Sequence, residues 1–229
     1  MKIISFYSDK GGAGKSFLTM WVASILKYKF DKRVVVVDTI AGYENLSCKR
    51  KEDIRQLNDN FAVSDNDFIE IRQINQFEQF LDFCKEKEYE YDYIFADTGA
   101  INEVNMYILM KCNYIFIVTD QDFEKRMKIY ESFKNMIGRY EGFNIEDVRF
   151  IFNKVEDNIN EEDLSNRILA IKDDGGEDIT LENFILPAIC TNKKRGLQFD
   201  TLSVGRGNIP ADLMSLAENI MNLTNEKIE

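Results

Sequence analysis

The stretch from Ser8 to Phe17, SDKGGAGKSF, constrains this chain more than any other. Gly11, Gly12 and Gly14 fall within four residues, and Lys15 and Ser16 follow directly. An apolar, β-prone run, KIISFYS at 2–8, leads into the loop, and a helix-length run at 16–30 leads out of it. Glycines let a backbone turn tightly and approach a phosphate with no Cβ in the way. Consecutive N–H groups then converge on the anion, helped by the N-terminus of the following helix. A lysine neutralises phosphate charge, and a hydroxyl after it suits Mg2+. The common pattern G-x-x-x-x-G-K-[ST] also asks for a glycine five places before Gly14, where this chain has Asp9. The plainer reading of the loop is a glycine turn that caps a helix.

The rest of the chain alternates in the same rhythm. RVVVVD (33–38), YDYIFAD (91–97), NYIFIVTD (113–120) and VRFIFNK (148–154) are short, nearly all-apolar runs, and ENFILP (182–187) closes the series. Runs of this kind suit strands covered by helices on both faces. In the first helix Leu18, Trp21, Val22, Ile25 and Leu26 recur at helical spacing. INQFEQFLDFCKEK (74–87) has Phe77, Phe80, Leu81 and Phe83 on one side, and FEKRMKIYESFKNMIGRY (123–140) is a further helix. PADLMSLAENIMNL (210–223) is a last amphipathic helix with Pro210 suited to its first turn. The acidic stretch 156–178 holds one short helix, and 43–75 is polar with no readable pattern. Strands alternating with helices predict an α/β fold, a doubly wound and mainly parallel sheet flanked by helices, in a single domain over 1–229.

Composition narrows the function classes. The 229 residues carry a net charge of -11, which disfavours a general nucleic-acid coat but leaves room for a local basic patch. There is no histidine, so the usual zinc ligand and the usual acid–base group are missing. The four cysteines, Cys48, Cys84, Cys112 and Cys190, are scattered without a C-x-x-C pair and read as reduced thiols of a cytosolic protein. No signal peptide is visible, and no run reaches the ~18 apolar residues that would span a bilayer.

The surplus lysine, Lys10, makes the loop KGGAGKS, which matches K-G-G-x-G-K-[ST], the deviant Walker A motif. Through it the chain resembles the ParA/MinD family of P-loop ATPases. The resemblance runs in order along most of the chain, leaving out 43–75 and 156–180. VVVVD ends at Asp38 where the family has an acidic strand end, and YDYIFADTGA is similar to its Walker B region. The resemblance implies ATP and Mg2+ as cofactors. Gly11, Gly12, Ala13, Gly14, Lys15, Ser16 and Phe17 would form the phosphate loop. Ser16 and Asp97 would hold Mg2+, Asp97 through a water. Asn153, in IFNKVEDN, would read the base, and Pro187, in FILPAICTNKKR, would precede the adenine pocket. Lys15 would serve its own subunit's phosphates. Lys10 would cross to the partner's ATP, so that ATP joins a homodimer and hydrolysis releases it. Lys10, Lys15 and Asp38 are thus the candidate catalytic residues.

One departure matters. The family usually writes D-x-D-P after the second strand, and this chain writes DTIAG, with Ile40 in place of the second carboxylate. Isoleucine can neither accept a proton nor orient water. Either Asp38, Glu44 or Asp120 substitutes, or hydrolysis is slow or absent. The cargo also divides the family. A basic cluster, Lys193, Lys194 and Arg195 with Arg206 beyond, could touch DNA phosphates, or be a solvated loop, or lie near the nucleotide. CKRK at 48–51 is a weaker candidate. The last helix ends acidic, with Glu218, Glu226 and Glu229, which suits core packing better than a membrane surface. The expected function is a cytoplasmic ParA-type ATPase switch for DNA partition, working at the nucleoid with a ParB-like adaptor and nonspecific DNA. The alternative is an ATP-gated switch that docks a protein partner. A ligase on the same fold would need a substrate-carboxylate site that the sequence does not reveal.

Overall fold

Val, Ile, Phe and Tyr fill the apolar runs, and in the computed structural model these runs pair into one parallel sheet. The structure describes residues 1–8, 11–40, 46, 48, 69–99, 102–119, 135, 148–153 and 209–225. Among them the strands are β1 (Lys2–Tyr7), β2 (Val34–Asp38), β3 (Glu70–Gln73), β4 (Tyr93–Asp97), β5 (Tyr114–Thr119) and β6 (Val148–Phe152). The helices are α1 (Lys15–Phe30), α2 (Phe77–Glu86), α3 (Glu103–Lys111) and α4 (Ala211–Asn225). The strand order is β3-β2-β4-β1-β5-β6, and every neighbouring pair is parallel.

Successive side chains of a strand face opposite ways, and here the two faces meet different helices. Phe6, Val36 and Phe95 join α1 and α4 in one core. Val35, Val37 and Ile94 join Phe80 of α2 and Ile108 of α3 in a second. The sheet is therefore wound on both sides, as the alternating pattern predicts. On the first face the Phe6 ring lies 6.2 Å from that of Phe95 and 5.6 Å from that of Phe116, so three neighbouring strands share one aromatic row.

Helix α1 is buried continuously from Leu18 to Leu26, which explains why its sequence is apolar nearly all round. Helix α4 packs against it, burying Leu213, Leu216, Ala217 and Ile220. Each leucine or isoleucine so buried contributes about 1.5–3 kcal/mol. The Tyr93 hydroxyl and Thr224 Oγ1 share a hydrogen bond of 2.9 Å, and the Tyr114 hydroxyl donates to the Leu223 carbonyl at 3.3 Å. The apolar stripe of the last helix is thus core. No described helix is long and apolar enough to cross a membrane.

At the N-terminal edge of the sheet Arg33 ties β2 to β4. Its Nη2 reaches Asp92 Oδ1 at 2.7 Å, its backbone N–H donates to Asp92 Oδ2 at 2.9 Å, and its Nη1 donates to the Tyr89 carbonyl at 2.7 Å. The Arg33 guanidinium holds the Asp92 carboxyl below the usual carboxylate range.

Two elements have no counterpart in the sequence reading. Strand β3 lies inside the stretch that shows no pattern, and α3 separates β4 from β5. In α2, Phe80 is buried and Phe77 and Phe83 pack beside it, while Leu81 is half-buried and outside that cluster. The predicted strand 182–187 and the predicted short helix within 156–178 lie outside the described residues, as does the helix 123–140 apart from Asn135.

Candidate functional site

The strands point their C-terminal ends toward one edge, and the crossover from β1 to β2 runs one way along the sheet while that from β4 to β5 runs the other. Such a divergence opens a crevice at the strand ends, the usual ligand position in a doubly wound sheet. The glycine loop sits there, between β1 and α1. Ser8, just past β1, is buried. Gly12 and Gly14 have φ of 77° and 101°, a left-handed conformation that any side chain would strain. Among the described residues, a Cβ built on Gly11 or Gly12 would meet nothing within 4 Å, so these two line open space there. Gly14 is different, because a Cβ there would fall 2.2 Å from Nδ2 of Asn153.

Helix α1 begins at Lys15 with Gly14 as its N-cap, no side-chain cap and no acidic residue in its first turn. No acidic side chain of that turn offsets its positive dipole end, and Lys15 adds a full charge. Lys15 Nζ donates back to the Ser8 carbonyl at 3.3 Å, which keeps the ammonium over the loop. Ser16 and Ala13 are half-buried. Phe17 is half-buried against the core, its ring 6.1 Å from that of Trp21.

At the same edge, β2 and β4 end in register with Asp38 beside Asp97. Both are fully buried. Asp38 Oδ1 accepts the Ile40 N–H at 3.1 Å, and Oδ2 accepts the Leu46 N–H at 2.7 Å. This carboxylate therefore holds the chain that leaves β2. Thr39 bridges to the neighbouring strand: its N–H and its Oγ1 donate to the Asp97 carbonyl at 3.2 and 3.1 Å, and Oγ1 also bonds Asn105 Oδ1 at 2.8 Å. Ser5 Oγ donates to the Ala96 carbonyl at 2.8 Å and lies 3.4 Å from Thr98 Oγ1. Ile40 turns toward Gly99, where an added Cβ would sit 3.2 Å from its Cγ1.

Asn153 follows β6 and is buried. Its N–H donates to the Thr119 carbonyl at 2.7 Å, and its Nδ2 donates to the Ala13 carbonyl at 2.7 Å. The structure thus brings Gly11, Gly12, Ala13, Gly14, Lys15, Ser16, Asp38, Asp97 and Asn153 to one edge of the sheet. Lys10, Glu44, Asp120, Pro187, Lys193, Lys194, Arg195 and Arg206 lie outside the described residues. Sequence reasoning missed Ser5, Thr39, Thr98 and Asn105. Their one signal is a hydroxyl or amide at the edge of an otherwise apolar run, a place where burial demands a partner.

The donor chemistry fits a phosphate ester with a hard divalent cation. Gly11 and Gly12 leave the cradle open, and Lys15 supplies cationic charge. The Ser16 hydroxyl and the Asp97 carboxylate are oxygen donors of the kind Mg2+ takes. Among the described residues no group of three or more His, Cys, Asp or Glu could hold a metal. A cation here would complete its shell with phosphate oxygens and water, as Mg2+ commonly does.

The family described as the CobQ/CobB/MinD/ParA nucleotide binding domain matches residues 4–194. No curated protein matches the chain. Among solved structures, pNOB8 ParA bound to nonspecific DNA superposes with a TM-score of 0.65 at 15% identity, covering 99% of each chain. A plasmid partition protein of Borrelia burgdorferi B31 bound to AMPPNP gives 0.63 at 20% identity, again with 99% of each chain. MinD of Aquifex aeolicus, in its complex with MinC, gives 0.63 at 19% identity, with 97% of this chain and 96% of the other. At these identities the likeness establishes the fold.

Proposed function

We propose, for a chain that belongs to the CobQ/CobB/MinD/ParA nucleotide-binding family, that it binds ATP with Mg2+ and acts as an ATP-dependent dimerising switch in DNA partition. The observation that carries this reading is the open glycine cradle between β1 and α1, at the same sheet edge as the buried Asp38–Asp97 pair at the ends of β2 and β4. Backbone N–H groups of residues 11–16 and the Lys15 ammonium bind the phosphates. Ser16 and Asp97 hold Mg2+, which supplies charge neutralisation at the β- and γ-phosphates when bound. Lys10 reaches the nucleotide of a second copy. Lys193, Lys194, Arg195 and Arg206 meet DNA phosphates, and a small adaptor protein sets where the switch is reset.

Turnover is slow in this reading. Ile40 carries no proton acceptor, and both oxygens of Asp38 already accept backbone N–H groups. The test has three parts. MgATP binding is measured by calorimetry, subunit mass by sedimentation with ATP or ADP, and phosphate release alone and with random duplex DNA. ATP-only dimers that bind DNA with a steep salt dependence support partition. ATP-dependent dimers that ignore DNA at low salt favour the protein-docking switch. Absence of nucleotide binding rejects the reading, and unstimulated turnover on the order of 1 s⁻¹ or faster rejects the slow-hydrolysis part.

A further inference from the structure

We infer that Asn153 is a positioning residue for the phosphate loop, acting through the Ala13 peptide. The inference rests on the nucleotide-binding reading above. The side chain is 2% exposed and belongs to the β6 end, 140 positions along the chain from the loop it touches. Its own backbone is fixed by the N–H bond to Thr119 at the end of β5. From that anchor Nδ2 donates to the Ala13 carbonyl at 2.7 Å.

A trans peptide is planar, with its C=O and N–H pointing opposite ways. Holding the Ala13 carbonyl toward Asn153 therefore fixes the direction of the Gly14 N–H. Anion binding by a loop depends on several N–H groups sharing a direction, so one fixed peptide plane organises its neighbours. Gly14 completes the arrangement. Only a residue without Cβ lets the amide come this close, since a Cβ would lie 2.2 Å from Nδ2 and 3.5 Å from Cγ. The third glycine of the loop thus serves the amide behind the loop, while Gly11 and Gly12 face open space.

A brace and a base reader fail differently when removed. Asn153→Ala and the milder Asn153→Ser are compared with wild type for Kd of MgATP, MgGTP and magnesium tripolyphosphate, and for Tm without ligand. Loss of one buried hydrogen bond should weaken all three ligands by a similar factor, about 3–10-fold, with the ATP-to-GTP ratio unchanged. Loss of ATP affinity alone, with tripolyphosphate unchanged, would overturn the inference in favour of base reading. A lower Tm with all three affinities intact would overturn it in favour of a merely structural amide. Should Asn153→Ala not fold, the Ser variant gives the same comparison. Wild-type protein that binds none of the three would remove the nucleotide reading itself and this role with it, a result distinct from the other two.

Discussion

Replacing Asp38 by Asn separates a carboxylate that holds the chain from one that only serves chemistry. Both oxygens of Asp38 accept backbone N–H groups, from Ile40 at 3.1 Å and from Leu46 at 2.7 Å. The residue is fully buried, so water cannot take over either bond. Asparagine is nearly the same size but has one acceptor oxygen. Turned to satisfy Leu46, it aims an NH2 group at the Ile40 N–H, and turned the other way it orphans Leu46. A hydrogen bond to a charged group is worth about 1.5–3 kcal/mol, and orphaning a buried donor costs about as much. A chain of this size loses about 2–4 °C of Tm per kcal/mol. The expected fall for Asp38→Asn is therefore roughly 3–12 °C. The assay is thermal unfolding followed by circular dichroism without nucleotide, because a ligand of the folded state would raise Tm by itself. A variant within about 1 °C of wild type would refute the reasoning and leave Asp38 free for a purely catalytic part.

Three further outcomes follow from the packing and the charges. Ile40→Asp restores a carboxylate beside Gly99 and should raise phosphate release by about 10²-fold, the low end of what a positioned base supplies, whereas unchanged turnover would place the limit elsewhere. Ile220→Ala, in the fully buried face of α4, should lower unfolding stability in urea by about 2–5 kcal/mol, and a loss below about 1 kcal/mol would mean that the last helix is not core. The Asp92 carboxyl is held low by Arg33, so its contribution is present above the ordinary carboxylate pKa near about 4 and lost as pH falls through the lower folded-state value. The Tm gap between wild type and Asp92→Asn should accordingly be steady near neutral pH and close on acidification, and a gap independent of pH would count against the pair.

The parts of the fold that sequence reveals are those where burial writes a pattern. Strands β1, β2, β4 and β5 have a neighbour on each side and read as apolar runs, as does β6, whose Ile151 enters the core. Strand β3 is EIRQ, half-buried or exposed throughout and at one end of the described sheet, so no apolar run announces it. Helix α3 fails for the opposite reason. EVNMYILMK is apolar without a break from Met106 to Met110, and so short an apolar run is ambiguous between strand and helix. In the site, the glycines, Lys15, Ser16 and the strand-end Asp residues stand out because each lies at a fixed offset from a recognisable element. The contact between Asn153 and Ala13 is invisible locally, because it is made by the register of β5 with β6 and not by any short motif. The partners of Asp38 are invisible for the same reason: a backbone N–H leaves no mark in the alphabet of side chains.

The strand order has a consequence for how the protein is made. Strand β1 lies inside the sheet and precedes both of its neighbours in the chain, with Lys2 paired in register to Tyr93 and Ile4 to Tyr114. At about 5–20 residues per second, roughly 6–24 s of synthesis separate β1 from the end of β5. During that interval the glycine loop exists as sequence but has no sheet to stand in. A nascent chain of this design therefore gains its glycine cradle late and all at once. The unpaired apolar β1 segment is then the part most in need of a chaperone, and slowing elongation between β1 and β5 should harm the yield of folded protein more than slowing it afterwards.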